Sequence, residues 1–195
     1  MKDISLILAS GSPRRAEILH NIGASFEVYV THADETVTEP LLPEKLVCEL
    51  SRRKAKEAVQ TCGAAHLILA ADTVVALDAR IMGKPANDEE AFEMLSALSG
   101  RVHSVYTGFT LAREDKLVSQ AVKTDVEFYP LSNDLIYRYI KSGEPRDKAG
   151  AYGIQGRGSA FIKGIQGDYF NVMGLPIASV VQTAKQHFSV DILGF

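Results

Sequence analysis

The chain has 195 residues, 46% hydrophobic and 23% charged, a balance typical of globular proteins with a substantial core. Its net charge is −3, so no overall field draws the molecule onto nucleic acid or membrane, and any bound anion must be held by a local cluster. Cys48 and Cys62 are the only cysteines and form no CxxC, which argues against a disulfide framework. The apolar stretch Ile4–Ala9 is too short for a secretory signal, and no run approaches the ~20 residues of a membrane span. The expectation is a single domain over residues 1–195, reduced and cytoplasmic, with no stable nucleic-acid binding and no membrane association.

In chain order, Ile4–Ala9 reads as a buried strand. Ser12 is placed as an N-cap with Pro13 at the first helical position, and the helix runs over Arg14–Asn21 to a stop at Gly23. A strand over Ser25–Val30 follows, then a longer helix from Pro43 to about Cys62, ended by Gly63. Leu67–Ala71 and Thr73–Leu77 are strand-like, with a turn at Asp78-Ala79-Arg80. Asn87 or Asp88 starts a helix whose Ala91, Leu95 and Leu98 recur at helical spacing, with Gly100 after its end. Val102–Ala112 and Leu117–Phe128 are long β segments joined by the charged turn Arg113–Lys116. Ser132 caps a helix reaching about Lys141. Residues 143–174 hold 8 of the 15 glycines, which predicts turns and short strands there. A last amphipathic helix runs from Pro176 to about His187. Alternating strands and helices with two hairpins give an α/β fold around a mixed central sheet flanked by helices.

Four features carry chemistry. Ser10-Gly11-Ser12-Pro13-Arg14-Arg15 puts two arginines in the first turn of a helix, where the dipole favours acids. An anion cradled at the helix N-terminus accounts for them; so do arginines that reach solvent or pair with Glu17. The segment is not a Walker A loop, because the Gly-Lys-Ser/Thr ending is missing. Asp72 interrupts the run Leu67–Val75, where a carboxylate is costly unless ligated, hydrogen-bonded or open to a cleft; a strand-end aspartate is the plainer alternative. Lys54 falls on a mostly apolar helix stripe with Val47, Leu50 and Ala58, where a snorkelling lysine is the usual explanation, while Lys84 sits in the constrained loop Met82-Gly83-Lys84-Pro85. In the glycine-rich stretch Ser142–Gly156, Gln155 offers an amide able to read a base edge, and Asp147 and Lys148 either contact phosphate or pair with each other. The five histidines lack metal-ligand spacing and there is no Gly-x-Ser-x-Gly elbow, so zinc and serine-hydrolase chemistry have little support. His103 and Tyr106 read as structural.

Leu8–Arg15, Lys54, Ala71–Thr73, Gly83-Lys84-Pro85, Ser99-Gly100-Arg101, Ser142–Gly156 and Asn171–Pro176, taken together and in this order, resemble the Maf family of nucleoside triphosphate pyrophosphatases. The resemblance spans nearly the whole chain. It implies a two-lobed fold similar to inosine triphosphate pyrophosphatases with the site in the cleft between lobes, a homodimer, and cleavage between the α and β phosphates with Mg²⁺ or Mn²⁺. On the same footing, Asp72 matches the family's general base and Glu35 an acidic residue that helps hold the metal, with Asp72 as the second candidate ligand. Ser10, Ser12, Arg14, Arg15, Lys54 and Lys84 would surround the triphosphate, and Thr73 and Gln155 would read the base. Branches acting on 7-methyl-GTP carry tryptophan, glutamine and glutamate where this chain has Arg14, Thr73 and Gln155, so the resemblance points to dTTP and UTP, with modified pyrimidine triphosphates as close alternatives. A nucleotide-binding regulator of septum formation that does not turn its ligand over is the rival reading.

Overall fold

Short apolar runs flanked by glycine and proline become strands and helices in close agreement with their spacing. The computed structural model describes residues 5–78 and 80–195, so Ile4 of the first expected strand and Ala79 of the expected turn lie outside the described residues. The elements are β1 (Leu6–Ala9), α1 (Pro13–Asn21), β2 (Phe26–Val28), α2 (Pro43–Cys62), β3 (Leu67–Leu77), β4 (Arg80–Met82), α3 (Asp88–Leu98), β5 (Val102–Arg113), β6 (Lys116–Phe128), α4 (Asn133–Lys141), β7 (Ile162–Gln166), α5 (Tyr169–Met173) and α6 (Ile177–Phe188), with 3-10 turns at Glu144–Asp147, Ala149–Ala151 and Gly156–Phe161. No helix among the described residues is long and apolar enough to cross a membrane.

The strands form a seven-stranded sheet in the order β2-β1-β3-β5-β6-β7, with β4 paired to β3. β1 is parallel to both β2 and β3, with Leu6 opposite Phe26 and Leu67, whereas β3–β4 and β6–β7 are antiparallel. The side-chain pairs Ser104–Asp125 and Thr110–Ser119 run in opposite senses along β5 and β6, which makes that hairpin antiparallel too. The sheet is therefore mixed, as the two hairpin signals predict. Asp72 does not break its strand: β3 continues through it for 11 residues, so the strand-end alternative for this residue is removed.

Two units divide the chain. The first comprises the described residues up to Asp72 together with Thr107–Val122 and Gly174–Phe195; the second comprises Thr73–Tyr106 and Lys123–Met173. In the first, Ala55 and Ala58 of α2 pack on Ile7 and Ala9 of β1, Ile68 and Ala70 of β3 and Ala112 of β5. Small residues on both surfaces let the helix lie close to the strands. The closest approach is at Gly108 of β5, where a Cβ would stand 2.4 Å from the Val47 carbonyl group, so any side chain there would force α2 outward.

The second unit has its own core, built on Leu95 and Leu98 of α3, Ile136 and Ile140 of α4, Val75, Val126 and the rings of Phe128, Tyr139, Tyr152 and Phe161. Fully burying a ring or branched chain of this size is worth about 1.5–3 kcal/mol, which makes this cluster the unit's main stabilising feature. Helix ends follow the sequence signals: the side chains of Asn87 and Ser132 accept the amides of Glu90 and Leu135. His103 is buried here, its Nε2 2.7 Å from the Tyr152 hydroxyl and its ring edge-on to Phe128 and Tyr152. Burial pushes its pKa down to about 4, against a smaller opposing effect of Asp125. That is a structural histidine, as its place on a β segment suggests.

Three details depart from the sequence reading. β2 covers Phe26–Val28, shorter than Ser25–Val30; Arg80, expected in a turn, begins strand β4; and the glycine-rich stretch contains the short helix α5 besides turns and a strand. A five-residue helix leaves too little periodicity to be legible in sequence.

Candidate active site

The first unit assembles a charged cluster at one end of its parallel strands. β1 lies between β2 and β3, so the chain crosses from one side of β1 to the other when it passes from β2 through α2 to β3. In an open α/β sheet, ligands bind outside the carboxyl ends of the strands at such a reversal. The last paired residues there are Ala9 and Ala70. Just beyond them stand Ser10 and Asp72.

α1 begins three residues after Ser10, with Pro13 at its start and no acidic residue in its first turn. Ser12 occupies the N-cap position, but its side chain makes no capping hydrogen bond, so its hydroxyl is not committed to that role. The Ser10 hydroxyl accepts instead from the Ser12 amide at 3.3 Å and from Arg15 Nη1 at 3.0 Å, while Arg15 Nε donates to the Gly174 carbonyl at 2.8 Å. Arg15 is thus turned toward Ser10 and Gly174 rather than reaching into solvent. Burial lowers its pKa, Asp72 counteracts that effect, Arg14 adds to it, and Glu35 again opposes it. Asp72, Arg14 and Glu35 therefore all lie within electrostatic reach of Arg15.

Lys54 links the carboxylates. Its ammonium is 2.6 Å from Asp72 Oδ1 and 2.8 Å from Glu35 Oε1; the Lys54 and Asp72 side chains are only 11% and 13% exposed, against 60% for Glu35. The lysine does not snorkel from its apolar stripe. It turns inward onto the two carboxylates, and Leu50, Ala55 and Ala58 around it on α2 are buried.

Glu35 lies on an irregular segment, and α2 holds that segment in place. Arg53 Nη1 donates to the carbonyls of Asp34 at 3.0 Å and Thr36 at 2.8 Å, the residues on either side of Glu35. The Thr36 amide closes a turn onto Asp34 Oδ1 at 2.8 Å. One turn along α2, Glu57 accepts from the His32 amide and from the Tyr29 hydroxyl. Arg53 and Glu57 escaped the sequence reading because charges spaced four apart on a helix ordinarily face water. Their one signal is that they flank Lys54 on the same helix.

A divalent metal fits this donor set. Two carboxylate oxygens already converge on one cationic nitrogen, and hard cations prefer such oxygens. Among the described residues no group of three or more His, Cys, Asp or Glu side chains is placed to hold a metal, so phosphate oxygens and water would complete its shell.

The remaining predicted residues belong to the second unit. Thr73 follows Asp72 directly on β3 and is half-buried, and Lys84 is exposed in the loop after β4. Lys148 donates to Asp147 Oδ1 at 2.6 Å and to the Glu144 carbonyl at 2.7 Å. Gln155 lies in a loop held from both sides: the Tyr139 hydroxyl accepts the Gly153 amide at 3.2 Å, and the Glu144 carboxylate accepts the amides of Arg157 and Gly158 at 3.0 and 3.1 Å.

Fold and cluster define a class: a mixed α/β protein with a lysine-bridged carboxylate pair beside an arginine-bearing helix N-terminus, at a strand-order reversal. The sequence model of the Maf-like protein family matches residues 5–187, and the chain belongs to that family. A dTTP/UTP pyrophosphatase of Bacillus cereus is 48% identical over 187 residues, covering 96% of this chain and 97% of that protein. Among solved structures, the Ham1 protein of Staphylococcus aureus is similar with a TM-score of 0.47 at 14% identity, over 64% of this chain and 71% of its own. A nucleoside-triphosphatase / dITP/XTP pyrophosphatase from Mycobacterium abscessus gives a TM-score of 0.45 at 15% identity, over 95% and 97% of the two chains.

Proposed function

We propose that this protein hydrolyses dTTP and UTP, and modified pyrimidine triphosphates of similar shape, to the monophosphate and pyrophosphate. The carrying observation is the Lys54–Asp72–Glu35 cluster beside Arg15 and the start of α1. Near-half identity along almost the full length to a protein named dTTP/UTP pyrophosphatase supports the substrate class. Arg14, Thr73 and Gln155 are the residue types that distinguish the dTTP/UTP pattern from the 7-methyl-GTP one.

In this mechanism Asp72 accepts a proton from the water that attacks the α-phosphorus. Lys54 offsets the repulsion between the two carboxylates and keeps Asp72 oriented. Arg14, Arg15 and Lys84 bind phosphate oxygens, with the Ser10 and Ser12 groups at the turn before α1. Glu35 and Asp72 would hold Mg²⁺ or Mn²⁺, and the chemistry such an ion would supply is neutralisation of phosphate charge. Thr73 and Gln155 read the pyrimidine edge. The protein acts in the cytoplasm as a homodimer; light scattering of the purified protein tests the dimer, and cell fractionation the location.

The deciding assay is pyrophosphate release with Mg²⁺ or Mn²⁺ from dTTP, UTP, CTP, the purine triphosphates and 7-methyl-GTP. Turnover of dTTP and UTP with pyrophosphate as product, lowered about 10²–10⁴-fold in Asp72→Asn, is the expected result. Binding of these nucleotides without turnover under either metal would overturn the proposal in favour of a nucleotide-sensing regulator.

A further inference from the structure

We propose that Tyr139 and Glu144 form a positioning pair that presents Gln155 to the base, so that part of the nucleobase selectivity is set by a residue pair outside the binding residues. This inference rests on the base-reading role of Gln155 proposed above. The geometry behind it lies wholly within the second unit. The Gly153 amide donates to the Tyr139 hydroxyl at 3.2 Å, and that hydroxyl donates onward to Glu144 Oε1 at 3.0 Å. The same carboxylate accepts the Gly158 amide on Oε1 and the Arg157 amide on Oε2. Backbone on both sides of Gln155 is therefore bound to two side chains that are bound to each other.

Glycine at 156 is required by this clamp. Its φ of +72° suits glycine, and a Cβ there would lie 3.0 Å from Glu144 Oε2 and 3.1 Å from Oε1. The loop backbone thus passes directly against the carboxylate that binds it. The pair is also itself rigid. Tyr139 is buried, with its ring edge-on to Phe161 at 4.8 Å between centroids. Lys148 closes the base of the loop by donating to the Glu144 carbonyl.

Protonation states match these bonds. Burial raises the Tyr139 pKa, with the Gly153 amide opposing and Glu144 reinforcing it, so the hydroxyl keeps the proton it donates. Burial would also raise the Glu144 pKa, but the amides of Gly158 and Arg157, the Tyr139 hydroxyl and Lys148 together hold it below its ordinary value. An ionised acceptor faces three donors, and hydrogen bonds to a charged acceptor are the stronger kind.

The test measures kcat and KM separately for UTP and for a purine triphosphate in wild type, Gln155→Ala, Tyr139→Phe and Tyr139→Phe/Gln155→Ala. Tyr139→Phe keeps the ring and loses only the hydroxyl, and thermal melting verifies that it folds. The expected result is about a tenfold fall in the kcat/KM preference for UTP, carried mainly by KM. In the double variant the preference should fall no further than in Gln155→Ala alone, because Tyr139 acts through Gln155. Multiplicative losses, or a Tyr139→Phe enzyme with wild-type preference, would overturn the positioning role. A Gln155→Ala enzyme that kept full preference would instead overturn the base-reading role of Gln155, and with it the ground of this inference. Glu144→Gln serves as the second variant: it keeps an acceptor but presents an NH₂ to a backbone amide, so it should reproduce the Tyr139→Phe phenotype.

Discussion

Lys54→Met isolates the electrostatics of the candidate active site from its shape, because methionine retains most of the stem and removes the ammonium. The lost contacts are 2.6 Å to Asp72 and 2.8 Å to Glu35. The two are not equal. Lys54 and Asp72 are almost entirely shielded, and deleting one partner of a buried pair costs about 3–5 kcal/mol, because the other charge is left unpaired. Glu35 is 60% exposed, and an ion pair of that kind is worth about 0–1 kcal/mol. With Arg15 still close enough to act on Asp72, part of the loss is offset, and about 3 kcal/mol remains the expected destabilisation. For a chain of this size that is roughly 6–12 °C in Tm. The assay is thermal unfolding followed by circular dichroism at neutral pH in EDTA, so that no metal substitutes for the ammonium. Lys54→Met/Asp72→Asn should recover most of the stability, since the buried Asp72 carboxylate no longer lacks its ammonium partner and Glu35, which also loses Lys54, is largely exposed, yet it should have little activity without Asp72. If Lys54→Met melts with wild type, or if the double variant is no more stable than Lys54→Met, the pair is not energetically coupled and the reasoning fails.

Arg53→Met removes the donor that holds the backbone on both sides of Glu35. The metal concentration for half-maximal activity should rise about 10–100-fold while kcat at saturating metal is largely retained, the pattern of a lost supporting contact; an unchanged metal requirement would sink it. His103, whose pKa is lowered to about 4 in the fold, sets a pH dependence. Its neutral form is favoured when folded, so its contribution is full above the ordinary value of about 6.5 and is lost as pH falls toward 4, up to about 3 kcal/mol in all. Urea unfolding of wild type and His103→Gln between pH 7 and 4 checks this: the variant should show the shallower slope, and parallel slopes would contradict it. Gly108→Ala places a Cβ 2.4 Å from the Val47 carbonyl group and should both destabilise the protein and lower kcat, since α2 carries Lys54. A variant as stable and active as wild type would show that α2 moves aside freely.

What was legible in the sequence follows from how local its causes are. The Pro13 start of α1, the Asn87 and Ser132 caps and the apolar alternation of the long strands act within a few residues, and each falls where its signal puts it. Asp72 was legible as a polar intrusion into an apolar strand, and β3 running unbroken through it shows why that intrusion carries information: nothing local explains the carboxylate, so its partner must come from elsewhere in the chain. The pairing with Lys54 was the unreadable part. Lys54 is separated from Asp72 by a helix end and half a strand, and its place on an apolar stripe fits snorkelling equally well until the sheet order brings β3 alongside β1. Arg53 and Tyr139 lie a step further out, for the contacts by which they hold the Glu35 and Gln155 segments go to backbone groups, and backbone groups are present at every position. A residue whose partner is a backbone group leaves no pattern of residue types to detect. The supporting contacts of this site are therefore the portion that only the fold reveals, and the Arg53 and Tyr139 variants are where the structure adds most to what the sequence implies.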